Sequence, residues 1–250
     1  MTDGFAGKTF AITGGSKGLG LTCTRQLLER GARVVVLSRS RGELDHLAPE
    51  LRENLHWVQM DLANPGATAD IFATIRELVG GLDGLVLNAA LTEPKSFAEL
   101  TEADVNASLT ANIAGPLLCL QQGAALMKGG RVIFVSSESV EHPFPMLSLY
   151  AVVKAAMEML FKAVRRELYV DHQVQLTVLR SGSMAGTSFG DSWSQDTRSK
   201  FYEVAASTGN IQETGTPMPP ERVAAGVLFV LGLPADATVN FLDVRSGDAY

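Results

Sequence analysis

Seven apolar runs of strand length recur along this 250-residue chain, and between them lie longer stretches whose apolar residues return every three or four positions. The runs are Thr9–Thr13, Arg33–Ser38, His56–Met60, Gly84–Asn88, Arg131–Ser136, Gln175–Leu179 and Thr238–Val244. The stretches with helical spacing are Gly18–Arg30, Gly42–Asn54, Gly66–Val79, Glu102–Met127, Leu149–Val170 and Pro220–Leu233. A strand buried on both faces reads as a continuous apolar run, whereas the helix that covers it keeps one apolar stripe. The alternation therefore predicts repeated βαβ units in an α/β fold, a doubly wound, seven-stranded parallel sheet with helices on both faces. One domain over residues 1–250 is expected, and 46% hydrophobic residues can fill a core of that size.

The turn after the first run is Thr13-Gly14-Gly15-Ser16-Lys17-Gly18-Leu19-Gly20, and it opens a helical stretch. Residues without a β-carbon let the backbone approach a pyrophosphate closely, and the free N–H groups and positive dipole end of the following helix face the same anion. An ordinary glycine-rich turn is the alternative. The strand, turn, helix and second strand fall within the span of a dinucleotide site, while the Gly-Lys-Ser/Thr ending of a triphosphate-cradling loop is absent.

An acid near the end of the second strand would bind the ribose 2′-hydroxyl of NAD. This chain instead has Ser38-Arg39-Ser40-Arg41, with two guanidinium groups, and Lys17 in the neighbouring turn. Charge-assisted bonds to a 2′-phosphate favour NADP(H), with Lys17 and Arg39 as its ligands. The alternative is a solvated surface arginine.

Tyr150 and Lys154 lie four apart in a helical stretch, so they share a face. An ammonium roughly 4 Å from the phenol, at an effective dielectric near 20, is worth about 4 kcal/mol, or about three pKa units, which would bring a tyrosine into range as an acid–base group. The pair follows the run that ends in Ser136-Ser137, at the carboxyl edge of the predicted sheet, where open α/β folds bind ligands.

In order along the chain stand Thr13-Gly14-x-x-x-Gly18-x-Gly20, Asp61-Leu62, Asn88-Ala89-Ala90, Asn112-x-x-Gly115, Ser137 and Tyr150-x-x-x-Lys154. The series resembles the short-chain dehydrogenase/reductase family over nearly the whole chain, and the likeness implies a Rossmann fold and NADP(H)- or NAD-linked hydride transfer. It implies that Tyr150 exchanges the substrate proton and that Lys154 depresses its pKa and holds the nicotinamide ribose. Ser137 would bond the substrate oxygen, and Asn112 would shape the fourth helix and anchor a water relay. Asp61, followed by Leu62, would contact adenine, and Asn88 would stabilise the central strand. Gly14, Ser16, Lys17, Gly18, Leu19, Gly20, Ser38, Arg39, Ala89, Ala90, Ser181 and Gly182 complete the expected cofactor site. Two positions depart from the pattern: Ala90 stands where the family has glycine, and Ser181-Gly182 replaces its Pro-Gly. The ending Val239–Arg245 looks like the branch of NADP-dependent reductases of ketones, hydroxy acids and pterins.

Residues 181–220 break the βα rhythm as a polar stretch carrying Met184, Phe189, Trp193, Phe201 and Tyr202, and a loop of that kind predicts a substrate lid. Phe144, Met146, Met184, Phe189 and Trp193 could line an apolar pocket. Glu138 and His142 are either substrate contacts or a solvated loop.

The four histidines share no metal-ligand spacing with one another or with the two cysteines, so no metal is expected. Cys23 and Cys119 fall in helical stretches and are expected to be free thiols in a reducing compartment. A net charge of −6 argues against a nucleic-acid partner, and no run of 18 apolar residues supports a membrane span. The amino terminus lacks a basic segment followed by an apolar one, so a cytoplasmic location is expected. A homodimer or homotetramer follows from the resemblance and from the long apolar helices. The leading function is reduction of a ketone or aldehyde with NADPH; oxidation of a secondary alcohol and a non-catalytic nucleotide-binding scaffold are the alternatives.

Overall fold

The computed structural model describes residues 4–187, 189–209 and 213–249. In chain order the elements are β1 (Thr9–Thr13), α1 (Gly18–Leu28), β2 (Arg33–Ser38), a one-turn helix α2 (Pro49–Arg52), β3 (Leu55–Gln59), α3 (Thr68–Val79), β4 (Gly84–Leu87), α4 (Glu102–Leu109), α5 (Gly115–Ala124), β5 (Arg131–Ser137), α6 (Ser148–His172), β6 (Gln175–Ser181), α7 (Gln195–Ser207), α8 (Pro220–Leu231) and β7 (Phe241–Val244). The seven strands form one sheet in the order β3-β2-β1-β4-β5-β6-β7, every pair parallel, as the apolar runs predict.

Alternation along each strand divides the core between the two faces. Phe10, Ile12, Val34, Val36, Val86 and Ile133 point to the side covered by α1 and α8, where they meet Leu27, Val223 and Val227. Ala11, Val35, Leu85, Val132 and Phe134 point to the other side and pack with Phe72 and Ile75 of α3, Cys119 of α5, and Met157 and Phe161 of α6. The period of two in a strand against two helical layers makes the sheet doubly wound. Cys23 and Cys119 are buried as free thiols, and burial pushes each up to about 12.

Three expectations need correction. Residues 42–54 do not form one helix. Gly42 has φ +54°, the Glu43 N–H donates to the Ser16 carbonyl at 3.0 Å, and Ala48 is extended before Pro49 as proline demands, so only a short 3-10 turn and α2 remain. The stretch Glu102–Met127 is interrupted by a π-helical turn over Thr110–Ala114, because Pro116 has no N–H to return to Asn112 four residues earlier. Residues 181–220, of which 188 and 210–212 lie outside the described residues, are not loop throughout. Ser194 caps the helix α7 by accepting from the Thr197 N–H at 3.1 Å, and a parallel bridge pairs Met184 with Met218. Among the described residues no helix is long and apolar enough to cross a membrane.

Candidate active site

At the carboxyl ends of the strands lies a cleft of about 590 Å³. It is walled by the turn after β1, the end of β2, the segment after β3, residues 88–92 after β4, Val135 and Ser136 of β5, Tyr150 and Lys154 of α6, Ser181, and residues from the 184–192 segment. A cleft between β1 and β4 at this edge is where a parallel sheet changes winding direction, and two diverging helices leave room there for a ligand.

The turn is rigid and glycine-dependent. Gly14 and Gly18 have φ +68° and +50°. The Thr24 hydroxyl donates to the Gly15 and Gly20 carbonyls at 3.1 and 2.9 Å. Asn88 clamps the turn to β4: its Nδ2 donates to the Thr13 carbonyl at 3.1 Å, while its N–H and that of Ala89 donate to Thr13 Oγ1 at 3.0 and 3.1 Å. Gly20 differs from the site expected in the sequence. It is not on the cleft wall; a β-carbon there would overlap the Gly14 carbonyl and lie 2.7 Å from Asn88 Nδ2, so it serves helix–strand packing. Gly182 is likewise off the wall, facing Arg245 and Glu138.

Lys17 and Arg39 both line the cleft, are exposed, and have side chains that make no hydrogen bond or ion pair among the described residues. Arg41 does not join them. Its guanidinium holds Asp45 at 2.8 and 2.9 Å and lies 5.7 Å from the centre of the Trp57 ring, so one cation remains of the two the sequence offers at the end of β2. Ser38 accepts from the Trp57 indole at 3.0 Å and donates to the Ser40 carbonyl at 2.7 Å. Asp61 and Leu62 face the cleft, with Asp61 turned back to accept from the Ala63 N–H at 2.9 Å. The glycine cradle, the two unpaired cations and the lack of an acid at residues 38–41 fit a dinucleotide carrying an extra phosphate.

The structure brings Ser137, Tyr150 and Lys154 together. Ser137 ends β5, where its hydroxyl donates to Ser139 Oγ at 2.9 Å and hydrogen-bonds the Tyr150 phenol. Lys154, 3% exposed, donates to the Val135 carbonyl at 2.7 Å and sits 5.5 Å from the centre of the Tyr150 ring. Asn112 sits on the π turn, where its Oδ1 accepts from the Leu91 N–H at 2.8 Å and its Nδ2 donates to the Leu91 carbonyl at 2.9 Å and to Ser108 Oγ at 3.2 Å. Asn112 thus ties the distorted helix to the segment after β4. Neither Ser137 nor Asn112 is on the wall of the large cleft.

The electrostatics reverse one expectation. Tyr150 is not depressed: burial pushes it up to about 12, with the Ser137 hydrogen bond opposing. Burial also pushes Lys154 down to about 7, with the nearby Glu158 carboxylate pushing back. Desolvation penalises the charged form of both groups, so the lysine surrenders part of the charge that would have stabilised a phenolate.

Around Tyr150, burial and partners from distant elements settle the surroundings of residues whose setting the sequence leaves open. Glu138 is 3% exposed rather than solvated, and one of its carboxylate oxygens has no partner among the described residues. Burial pushes it up to about 7. His142 is half-buried beside Glu213, 3.5 Å away. Of the expected aromatic lining, Phe189 and Met184 reach the cleft, and the Phe189 ring lies 5.7 Å from that of Tyr150. Trp193 is buried with Leu147 and Phe201, with Phe144 packed against them, and its indole donates to the Thr92 carbonyl at 3.0 Å. Met146, at φ +65°, lines a smaller cavity of about 70 Å³ on the other side of Tyr150.

The model of the family described as short chain dehydrogenase matches residues 8–198, more than half of the chain. The chain belongs to the short-chain dehydrogenase family. It is 29% identical over 245 residues to an L-xylulose reductase of Mesocricetus auratus, covering 96% of this chain and 95% of that one. It is 25% identical over 239 residues to an NADP-dependent 3-hydroxy acid dehydrogenase of Shigella flexneri, covering 93% and 92%. A short-chain dehydrogenase from Burkholderia cenocepacia, solved in complex with NADP, superposes with a TM-score of 0.81 at 26% identity, covering 98% and 99% of the two chains. The chain is therefore an α/β oxidoreductase of the family that acts on CH–OH groups with a nicotinamide cofactor.

Proposed function

We propose that this chain binds NADP(H) in the cleft and reduces a ketone or aldehyde to an alcohol. The observation that carries the reading is that Tyr150, with Ser137 bonded to it, and Lys154 stand on the cleft that also holds the glycine-rich turn and two unpaired cations. Gly14, Ser16, Gly18 and Leu19 would hold the pyrophosphate, with Gly20 packed behind them. Lys17, Ser38 and Arg39 would take the 2′-phosphate, Asp61 and Leu62 the adenine end, and Asn88, Ala89, Ala90, Ser181 and Gly182 the nicotinamide end. Bound NADPH supplies the hydride.

Tyr150 gives its phenolic proton to the substrate oxygen, and Ser137 exchanges its bond to Ser139 for one to the same oxygen. Both bonds strengthen as negative charge gathers on that oxygen, which is what lowers the barrier. Lys154 steadies the phenol's surroundings and would hold the ribose, while Asn112 keeps the π turn and Leu91 in place for a proton relay.

The whole chain is read as one cofactor-binding domain, with residues 181–220 as the substrate lid. Phe189 over Tyr150 is consistent with an apolar substrate face. The exposed Leu109 of α4, and Val152 and Met159 of α6, would be covered in a homodimer or homotetramer. A cytoplasmic setting belongs to the same proposal.

The test is a Tyr150→Phe variant assayed against a panel of ketones and aldehydes with NADPH. Turnover falls at least about 100-fold, while the enhancement of NADPH fluorescence on binding is retained. Undiminished turnover refutes the assigned proton donor.

A further inference from the structure

We propose that Glu158 and Arg180 are a buried charge pair that positions Lys154 and the end of β5, making Glu158 the residue that keeps the Lys154 ammonium charged. The inference rests on the reading of Tyr150 and Lys154 given above. Tyr150, Lys154 and Glu158 stand at successive four-residue intervals on α6, and they engage the last three residues of β5. Tyr150 bonds Ser137, Lys154 donates to the Val135 carbonyl at 2.7 Å, and Glu158 Oε1 accepts from the Ser136 hydroxyl at 2.6 Å. One helix face thus grips one strand end at three points.

Glu158 does not make its bond as a flexible surface acid. Its side chain is 16% exposed and that of Arg180 is 8% exposed. Arg180 Nε donates to Oε1 at 3.1 Å and its NH2 to Oε2 at 2.8 Å, so the guanidinium fork fixes the carboxylate plane from β6. Arg180 is itself held, with Glu141 on its other side and the Phe241 ring 4.7 Å away, and Glu141 also pairs with Arg245.

The Lys154 ammonium has no other anionic support of this kind among the described residues. On α6 the titratable groups beside it are Tyr150 and Glu158. β5 offers the Val135 carbonyl and the Phe134 ring, 4.7 Å away, and β6 offers Arg180, whose charge is directed into Glu158. The π turn has no titratable side chain, and α4 carries Glu102 and Asp104, the latter paired with Lys95. The turn after β5 brings Glu138, itself shifted toward its neutral form, and Glu141, committed to Arg180 and Arg245. Burial and Glu158 therefore oppose each other at Lys154, and removal of the carboxylate leaves burial alone.

The experiment follows the Lys154 ammonium directly on the full chain by ¹³Cε-lysine NMR across pH, with the resonance assigned by its absence in Lys154→Met. In the wild type Lys154 titrates near 7. In Glu158→Gln the midpoint falls by roughly one pH unit, the low end of what a nearby opposite charge exerts. Glu158→Asp restores part of the shift, and Arg180→Gln, which frees Glu158 from its counter-charge, moves the midpoint upward. Should Glu158→Gln fail to fold with Arg180 left unpaired, the double variant Glu158→Gln/Arg180→Gln removes both charges and still lowers the midpoint. An unchanged midpoint in the folded Glu158→Gln protein, or in the double variant where that is the one that folds, overturns the proposal. Because the titration needs neither substrate nor cofactor, that failure is distinct from turnover persisting in Tyr150→Phe, which would overturn the reading of the site.

Discussion

Gly20→Ala separates a glycine that packs from one that touches ligand. The new β-carbon would overlap the Gly14 carbonyl and approach Asn88 Nδ2 to 2.7 Å. Neither neighbour can yield cheaply: the Gly14 N–H donates to the Leu37 carbonyl at 2.7 Å, and Asn88 Nδ2 donates to the Thr13 carbonyl at 3.1 Å. Replacing glycine by alanine inside a helix gains up to about 1 kcal/mol. Forcing a methyl against fixed backbone costs about 1–3 kcal/mol, and the upper part of that range applies where backbone rather than a side-chain tip must move. The net loss is about 1–2 kcal/mol, which lowers Tm by roughly 2–8 °C for a chain of this size. Gly226→Ala in α8 is the control, because the nearest atoms its β-carbon would meet are side-chain methyl groups, those of Val244, Leu242 and Leu179, at 3.1, 3.3 and 3.4 Å. Its Tm should hold or rise. Thermal melts of both variants followed by circular dichroism decide the matter, and a Gly20→Ala protein as stable as the wild type would refute the packing role.

Lys17→Ala and Arg39→Ala should each weaken NADPH binding roughly 5–30-fold, less than a fully buried charge-assisted bond would give because both side chains are exposed, and should change NADH binding by no more than about twofold. Fluorescence titration with the two nucleotides reads the difference, and equal losses for both would exclude a 2′-phosphate site. Glu138 provides a stability signature in pH. Its folded pKa of about 7 lies above the ordinary value of 4.5, so the folded state holds the proton more tightly; that stabilisation is complete below about 4.5 and is lost as pH rises through 7. Glu138→Gln should therefore melt above the wild type at pH 8 and show no such gain at pH 5; the same gain at both values would rule out ionisation as the cause.

The sheet was legible because its inner strands β1, β2, β4, β5 and β6 are buried on both sides. Ala11, Val35 and Leu85 face one helical layer, while Ile12, Val36 and Val86 face the other, and each strand reads as an unbroken apolar run. Helices were legible where both an apolar stripe and the flanking backbone agreed. Residues 42–54 have the stripe, but Gly42 is committed to Ser16 and Pro49 forbids a helical residue before it. α7 shows the converse. Phe201 and Ala205 are its buried residues, so most of its surface is polar and it resembles the loop around it. At the site, short-range motifs singled out the glycine turn, Ser137, Tyr150 and Lys154 as candidates. The direction of the Tyr150 shift, the diversion of Arg41 to Asp45 and the Glu158–Arg180 pair depend on burial and on partners from other elements, and local spacing contains neither.

The same packing that stabilises α6 also sets the chemistry of its exposed end. Val153, Met157 and Phe161 are buried in the helix, and the Phe161 ring lies 5.5 Å from that of Phe134 on β5. This contact fixes the rotation of α6 about its axis. With the rotation fixed, residues at four-residue intervals must meet β5, and Tyr150, Lys154 and Glu158 occupy those intervals. Tyr150, Lys154 and Glu158 are consequently positioned by the hydrophobic core, which suits the roles proposed for them, since such groups would have to hold a reacting oxygen within a few tenths of an ångström. In the segment after β6, Phe189 is half exposed, whereas Trp193 is buried and joined to the body through the Thr92 carbonyl. Under the proposed function, α6 and β5 would carry the reaction, and Met184, Phe189 and Trp193 would lie where a substrate has to enter.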